Sequence, residues 1–178
     1  MAEVLVGVTG CIAAYKAAMV VSGLRQLGHG VNVVMTESAL ELVGKATFEA
    51  LSGRPVRATL FGSDLGHVHI ELSRGADLFC IVPATANILA KAANGIADDL
   101  VSTVILSFDK PTIFAPAMNP SMWNKPVVQN NVQKLIDFGA KIIYPESGRT
   151  SCGEFGVGRL ASPESIIAEI EKIISQAK

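Results

Sequence analysis

The chain has 178 residues, of which 49% are hydrophobic and 17% charged, and its formal net charge is −1. This length suits a single domain spanning residues 1–178, and the chain carries no basic run of the kind that binds nucleic acid. The first residues lack a basic segment followed by a long apolar run, and the three cysteines are odd in number and widely spaced, so we expect a cytoplasmic protein without a membrane span or a disulfide framework.

The predicted elements alternate between short β-branched runs and longer helical periods. A strand at 4–9, a helix at 12–27 and a strand at 31–35 form a βαβ unit at the start of the chain. The later predictions, in chain order, are a helix at 38–51, a strand at 78–82, helices at 86–93 and 98–107, a strand at 112–115, a helix at 127–138, a strand at 141–144, and a helix that Ser162 caps and that runs to 175.

This alternation predicts an α/β fold of the three-layer Rossmann-like (flavodoxin-like) kind, with a mainly parallel sheet and helices on both faces. The continuously apolar run 78–82 is typical of a strand that is buried on both sides, so we expect it near the centre of the sheet. Residues 54–71 and 145–161 fit no regular element. Long loops of this kind in α/β domains are often functional.

Polar and small residues follow the predicted strands where a ligand would bind. Gly10, Cys11 and Ile12 join the first strand to the first helix, where backbone N–H groups could hold a phosphate, although a plain turn is the alternative. Thr36 and Ser38 follow the second strand, and their hydroxyls either cap a helix or contact a phosphate.

Two further strand ends carry candidate site residues. Pro83, Thr85 and Asn87 follow the central strand and combine small side chains with a hydroxyl and an amide, as a flat cofactor requires. The octet 116–123 (PAMNPSMW) ends the next strand, and Asn119 offers a donor and an acceptor there without charge. Core packing of its methionines and tryptophan is the alternative interpretation of the octet.

The histidines give a weaker signal. His67 and His69 would share a face if the chain were extended there, but no further ligand set accompanies them, so we predict no metal site. His29 follows a helix end and is expected on the surface, without a role.

The segment 147–160 is rich in glycine and places Cys152 between Arg149 and Arg159. It is either a disordered surface hairpin or a lid that captures a ligand. Of the other thiols, Cys11 is interpreted as a small turn residue and Cys80 as a core residue.

Three of these segments together resemble the flavin-dependent cysteine decarboxylases, a family that acts on phosphopantothenoylcysteine in coenzyme A synthesis or on the cysteines of lantibiotic peptides. The octet is similar to the family's Pro-x-Met-Asn-x-x-Met-Trp signature, and residues 69–72 followed by 76–78 are similar to its His-Ile-x-Leu and Ala-Asp-Leu. Residues 151–160 resemble the substrate clamp of the phosphopantothenoylcysteine enzymes, with Ser151 and Leu160 in place of alanine and methionine.

The resemblance implies a carbon–carbon lyase that uses FMN as an electron sink to convert phosphopantothenoylcysteine to phosphopantetheine and carbon dioxide. It implies catalytic roles for His69 as a base or orienting group, for Asn119 in holding the carboxylate, and for Cys152 as a proton donor. The residues it assigns to cofactor binding are Gly10, Cys11, Ile12, Thr36, Ser38, Pro83, Thr85 and Asn87. Those it assigns to substrate binding are Asn119, Met122, Arg149 and Arg159, with 145–161 as the clamp.

The expected partners are a small phosphorylated cysteine conjugate, further copies of the chain, and a separate phosphopantothenate–cysteine ligase. The low charged fraction favours burial between subunits, and the resemblance implies a trimer or a dodecamer of trimers with each flavin at a subunit boundary. A peptidyl-cysteine decarboxylase and a non-catalytic flavin-binding regulatory subunit remain as alternatives.

Overall fold

A computed structural model describes residues 1–61 and 67–176. The main sheet contains β1 (Glu3–Val8), β2 (Gly30–Met35), β3 (Leu78–Ala84), β4 (Thr112–Pro116) and β5 (Lys141–Ile142), and a separate hairpin contains β6 (Glu146–Arg149) and β7 (Phe155–Arg159). The helices are α1 (Ala14–Gln26), α2 (Glu37–Leu40), α3 (Lys45–Ser52), α4 (Val68–Gly75), α5 (Ala86–Asn94), α6 (Leu100–Ser107), α7 (Pro120–Trp123), α8 (Pro126–Asp137) and α9 (Pro163–Gln176). Over these residues no helix combines the length and the apolar character needed to cross a membrane.

The five main strands pair in parallel in the order β2-β1-β3-β4-β5. β3 is therefore the central strand, and each of its seven residues is buried, which confirms the prediction from its continuous apolar run. Because the strands are parallel, their carboxyl ends meet at one edge of the sheet, where ligands bind in folds of this class.

Side chains alternate between two buried clusters, one on each face of the sheet. Val4, Val6 and Val8 of β1 pack with α1 and α9, whereas Leu5 points to the opposite cluster, which α5, α6 and α8 cover. The predicted three-layer architecture is confirmed. Cys80 lies in the first cluster as expected, and complete burial raises the pKa of its thiol to about 12.

The prediction of one helix over 38–51 is wrong. Two helices occupy the region, and they are separated because Gly44 adopts an extended conformation and caps the start of α3. The terminal helix begins as predicted, with the Ser165 N–H donating to the Ser162 hydroxyl at 3.1 Å.

The expectation that His29 is a surface residue is also wrong. Only 5% of His29 is exposed, and its Nδ1 accepts a hydrogen bond from the Ala2 N–H at 3.3 Å. Its Nε2 lies 2.6 Å from Oε1 of Glu171, which α9 brings over the ring. His29 thus links α9 to the residue that precedes β1, away from the carboxyl ends of the strands.

Candidate active site

The turns after β1 and β3 are joined by hydrogen bonds of Thr9, which is buried. The Thr9 hydroxyl donates to the Pro83 carbonyl at 2.7 Å and accepts from the Thr85 N–H at 3.2 Å. Thr9 did not emerge as a site residue from the sequence, although it directly follows the first strand. Its hydrogen bonds set the spacing of two turns that were predicted to bind the cofactor.

These turns border a cavity of about 450 Å³, here called the strand-end cavity. Five of the eight predicted cofactor residues line it together: Gly10, Thr36, Ser38, Thr85 and Asn87. A Cβ added to Gly10 would lie 2.5 Å from the Ser38 Cβ, so the first turn approaches the second strand end more closely than any side chain would allow.

Two hydroxyls of the cavity cap helices. Thr36 accepts from the Ala39 N–H at 3.3 Å and Thr85 accepts from the Ile88 N–H at 3.2 Å. The capping role that the sequence allowed for Thr36 is therefore confirmed, and the same residue faces the cavity.

Lys91 of α5 also lines the strand-end cavity and was missed by the sequence reasoning. Its Nζ lies 2.6 Å from Oδ1 of Asp98 and 2.7 Å from Oδ2 of Asp99. The hydrogen bond from Lys91 lowers the pKa of Asp98. Asp99 caps α6 by accepting a hydrogen bond from the Ser102 N–H at 2.8 Å.

The glycine-rich segment forms the β6–β7 hairpin, which packs on the octet. The Met118 N–H donates to the Gly158 carbonyl at 3.0 Å. A Cβ at Gly156 would lie 2.9 Å from the Pro120 Cβ, and one at Gly158 would overlap the Met118 carbonyl oxygen. The glycines therefore allow a backbone approach that places the loop of the hairpin over Asn119.

This packing brings Asn119 and Cys152 into contact. The Asn119 Nδ2 donates to the Cys152 Sγ at 3.2 Å. The Asn119 Oδ1 accepts from the Ser121 N–H at 2.7 Å and also from the Ser121 hydroxyl, so the orientation of the amide is set. Ser121 is a third residue, after Thr9 and Lys91, that sequence reasoning missed, and its only sequence signal is its position inside the octet.

Hydrogen bonds surround the Cys152 sulfur, which is exposed. The Thr150 hydroxyl at 3.0 Å, the Glu154 backbone N–H and the Asn119 amide together lower the pKa of the Cys152 thiol below its usual value. Within the described residues, hydrogen bonds thus account for the stabilisation of a negative charge on this sulfur.

A second cavity of about 520 Å³, here called the hairpin cavity, lies between the start of α1 and the hairpin. Its lining contains Asn119, Cys152, Arg149 and Arg159, together with the predicted cofactor residues Cys11 and Ile12. Lys16 of α1 lines it as well. The Arg159 guanidinium pairs with Glu146 at 2.7 Å, whereas within 1–61 and 67–176 no ion pair engages Lys16 or Arg149.

Three predicted site residues line neither cavity. Pro83 is buried and contributes its carbonyl to Thr9, while Met122 is 46% exposed on α7. His69 lies in the first turn of α4, and this helix packs against α6 rather than against the hairpin.

His67 and His69 do not lie on one extended face, because α4 begins directly after His67. In the described part of the chain no cluster of three or more His, Cys, Asp or Glu side chains could hold a metal ion.

Comparison with known proteins gives independent evidence about the family of this chain. The family model described as Flavoprotein matches residues 1–175. The chain is 46% identical over 176 residues to the coenzyme A biosynthesis bifunctional protein CoaBC of Mycolicibacterium smegmatis, covering 98% of the chain and 42% of that protein. It is 42% identical over 174 residues to a probable phosphopantothenoylcysteine decarboxylase of Streptococcus mutans, covering 96% of the chain and 97% of that protein.

Solved structures show the same fold. A cysteine-to-serine mutant of PPC decarboxylase, complexed with pantothenoylaminoethenethiol, superimposes with a TM-score of 0.86 at 29% identity over 98% of both chains. The FMN-dependent cysteine decarboxylase SpaF gives a TM-score of 0.85 at 35% identity, covering 99% of this chain and 97% of that one. The chain spans about two fifths of the length of the mycobacterial CoaBC proteins it matches.

Proposed function

Because the chain belongs to the Flavoprotein family, we propose that it binds FMN and decarboxylates phosphopantothenoylcysteine to phosphopantetheine, a step of coenzyme A biosynthesis. The observation that carries this proposal is the 3.2 Å contact between the Asn119 amide and the Cys152 thiol. Asn119, a neutral group that can bind the substrate carboxylate, and Cys152, an acid that can protonate the product, thus line the same hairpin cavity.

The strand-end cavity has features that suit FMN. The missing side chain at Gly10 leaves a backbone cradle against Ser38, and the rim offers the Thr36 and Thr85 hydroxyls and the Asn87 amide. Bound there, FMN would supply a two-electron sink that accepts and later returns the electrons of the substrate's cysteine side chain. Cys11 and Ile12 extend the same turn toward the hairpin cavity.

Asn119 holds the carboxylate that leaves as carbon dioxide. Its Oδ1 is occupied by Ser121, so its Nδ2 is the group that points toward Cys152 and the cavity. A neutral donor binds the carboxylate without stabilising its charge as strongly as a cation would. The ground state is therefore held in place with less resistance to the loss of carbon dioxide.

Cys152 supplies the proton that completes the saturated product. The hairpin positions its sulfur beside Asn119, and the Thr150 hydroxyl orients it. Proton donation needs the thiol form, and the nearby hydrogen bonds make that thiol a stronger acid than free cysteine.

The hairpin cavity also suits a phosphorylated substrate. Lys16 and Arg149 line it, and Arg159 is already neutralised by Glu146. We assign the substrate phosphate to Lys16 and Arg149, and we assign Arg159 to holding the base of the hairpin. Met122 lies outside this cavity and remains a predicted contact only.

The position of His69 supports a site shared between subunits. His69 lines neither cavity. Ile12, in the turn before α1, and Tyr15 of α1 line the hairpin cavity and are more than half exposed, and Met19, one turn further along α1, is half exposed. We propose a homo-oligomer built on trimers in which His69 reaches the site of a neighbouring subunit. Sedimentation of a fully active monomer at micromolar concentration would contradict this assembly.

A ligase partner and a cytoplasmic location are consistent with this function. Relatives named as bifunctional proteins are more than twice as long as this chain, and we propose that a phosphopantothenate–cysteine ligase supplies the substrate. The thiols of Cys11, Cys80 and Cys152 are free, as in a reducing compartment, which supports action in the cytoplasm.

The test uses the purified chain reconstituted with FMN and supplied with phosphopantothenoylcysteine under anaerobic conditions. We expect oxidised-flavin absorption bands, carbon dioxide release and a saturated thiol as product. The same substrate without its phosphate should show a higher KM, and Lys16→Gln should reduce that difference because only Arg149 then remains for the phosphate. Release of an enethiol from a peptide with a carboxy-terminal cysteine, without turnover of the small substrate, would identify a peptidyl-cysteine decarboxylase. Flavin binding without any turnover would identify a regulatory subunit.

A further inference from the structure

The strand-end cavity has an uneven charge distribution. Its lining includes three carboxylates, from Glu37, Asp98 and Asp99, and within the described residues Lys91 is the one cation among them. A cavity with this excess of negative charge is a poor environment for a ligand that itself gains negative charge. Lys91 is therefore the group that offsets the repulsion.

Lys91 is held in place from several sides. Thr85 caps α5 and is hydrogen-bonded to Thr9, so the helix that carries Lys91 is anchored to two strand ends. The ammonium group contacts Asp98 at 2.6 Å and Asp99 at 2.7 Å, and Asp99 is itself fixed as the cap of α6. The lysine side chain is only 16% exposed, so solvent screens its charge less than that of a surface lysine.

We infer that Lys91 is the charge-compensating residue of the strand-end cavity and that, together with Asp98, it sets the reduction potential of the flavin bound there. This inference rests on the proposed function, because it assumes that FMN occupies the cavity. Two-electron reduction of a flavin adds negative charge to its ring system. A nearby cation favours the reduced form and raises the potential, and a nearby carboxylate lowers it.

The direction in which each substitution shifts the midpoint potential follows from the charges that line the cavity. Lys91→Met removes the cation and leaves three carboxylates, so the midpoint potential should become more negative. Asp98→Asn removes one carboxylate while Asp99 still caps α6, so the potential should become more positive. Lys91→Arg keeps the cation and should leave the potential near that of the wild type.

The experiment measures the midpoint potential of bound FMN by anaerobic reductive titration of the wild type and the three variants, with FMN dissociation constants measured alongside. We expect Lys91→Met to lose about tenfold in its preference for reduced over oxidised flavin, a shift of about 30 mV for a two-electron couple. Asp98→Asn should shift the potential in the opposite direction, and a structural defect would not produce opposite signs in the two variants.

Two results would overturn the inference while leaving the proposed function intact. In the first, the midpoint potentials of Lys91→Met and Asp98→Asn both equal the wild-type value. In the second, both potentials shift in the same direction. Should Lys91→Met fail to retain FMN, the sign of the Asp98→Asn shift decides, because the Asp98 side chain is 59% exposed and its replacement preserves size. A wild-type protein that binds no FMN would overturn the proposed function, and this inference with it.

Discussion

Replacement of Asn119 by aspartate separates the chemistry of this residue from its structural role. Aspartate keeps the oxygen that accepts from the Ser121 N–H, so the cap of α7 should survive. It loses the N–H group that contacts Cys152 and that we assign to the substrate carboxylate. We therefore expect Asn119→Asp to fold and to bind FMN normally, but to lose decarboxylation.

The size of the loss follows from the single donor that is removed. A hydrogen bond to a charged group contributes about 1.5–3 kcal/mol, which corresponds to a fall in kcat/KM of roughly 10–150-fold. Repulsion between the new carboxylate and the substrate carboxylate adds to this loss. The same carboxylate disfavours a negative charge on the neighbouring sulfur, so the pKa of Cys152 should rise relative to the wild type.

Two assays check these expectations. Carbon dioxide release gives kcat/KM, and the pH dependence of Cys152 alkylation gives the direction of its pKa shift without any turnover. Asn119→Ser is the matched control, because serine can also cap α7 and lacks both the amide donor and the charge. Turnover of Asn119→Asp near the wild-type rate would refute the assigned role of the amide. An aspartate variant no more impaired than the serine variant would refute the added repulsion between carboxylates.

Three further outcomes follow from the hairpin. Cys152→Ser should still oxidise and decarboxylate the substrate but should release an enethiol rather than the saturated thiol, because a hydroxyl is a far weaker acid than a thiol. The mass of the product after anaerobic mixing distinguishes the two products. Repeated turnover to the saturated thiol would show that Cys152 is dispensable. Cys152 must be protonated to act as the donor, so the rate of enethiol reduction should fall as the pH rises through the pKa of this thiol. Because hydrogen bonds lower that pKa, the fall should occur at a lower pH than for an ordinary thiol. A rate that stays constant into the alkaline range would contradict the assignment. Gly158→Ala should displace the hairpin from the Met118 carbonyl and lower activity without loss of FMN. The control is Gly75→Ala, which should retain activity because its Cβ meets nothing within 4 Å. Equal activity of the two variants would show that close packing of the hairpin is unnecessary.

The sequence by itself determined the fold class and the edge at which the site lies. The alternation of apolar runs and helical periods is a local pattern, and parallel strands place their carboxyl ends together whatever the details of packing. The central position of β3 followed from its continuous apolar run, because only a strand covered on both faces requires one. The same reasoning placed Gly10, Thr85 and Asn119 at strand ends, and all three lie there.

Only the tertiary structure decided which of these residues meet. Asn119 and Cys152 are 33 positions apart, and their contact depends on the hairpin docking on the octet, which glycines at 156 and 158 allow. Lys91 and Ser121 were overlooked because an ordinary lysine and serine gain their roles from the Asp98–Asp99 pair and from the orientation of the Asn119 amide. His29 is buried because α9 closes over it from the far end of the chain. Local periodicity specifies an element and its buried face, but contacts between distant side chains arise from how the elements pack, and no window along the chain contains that information.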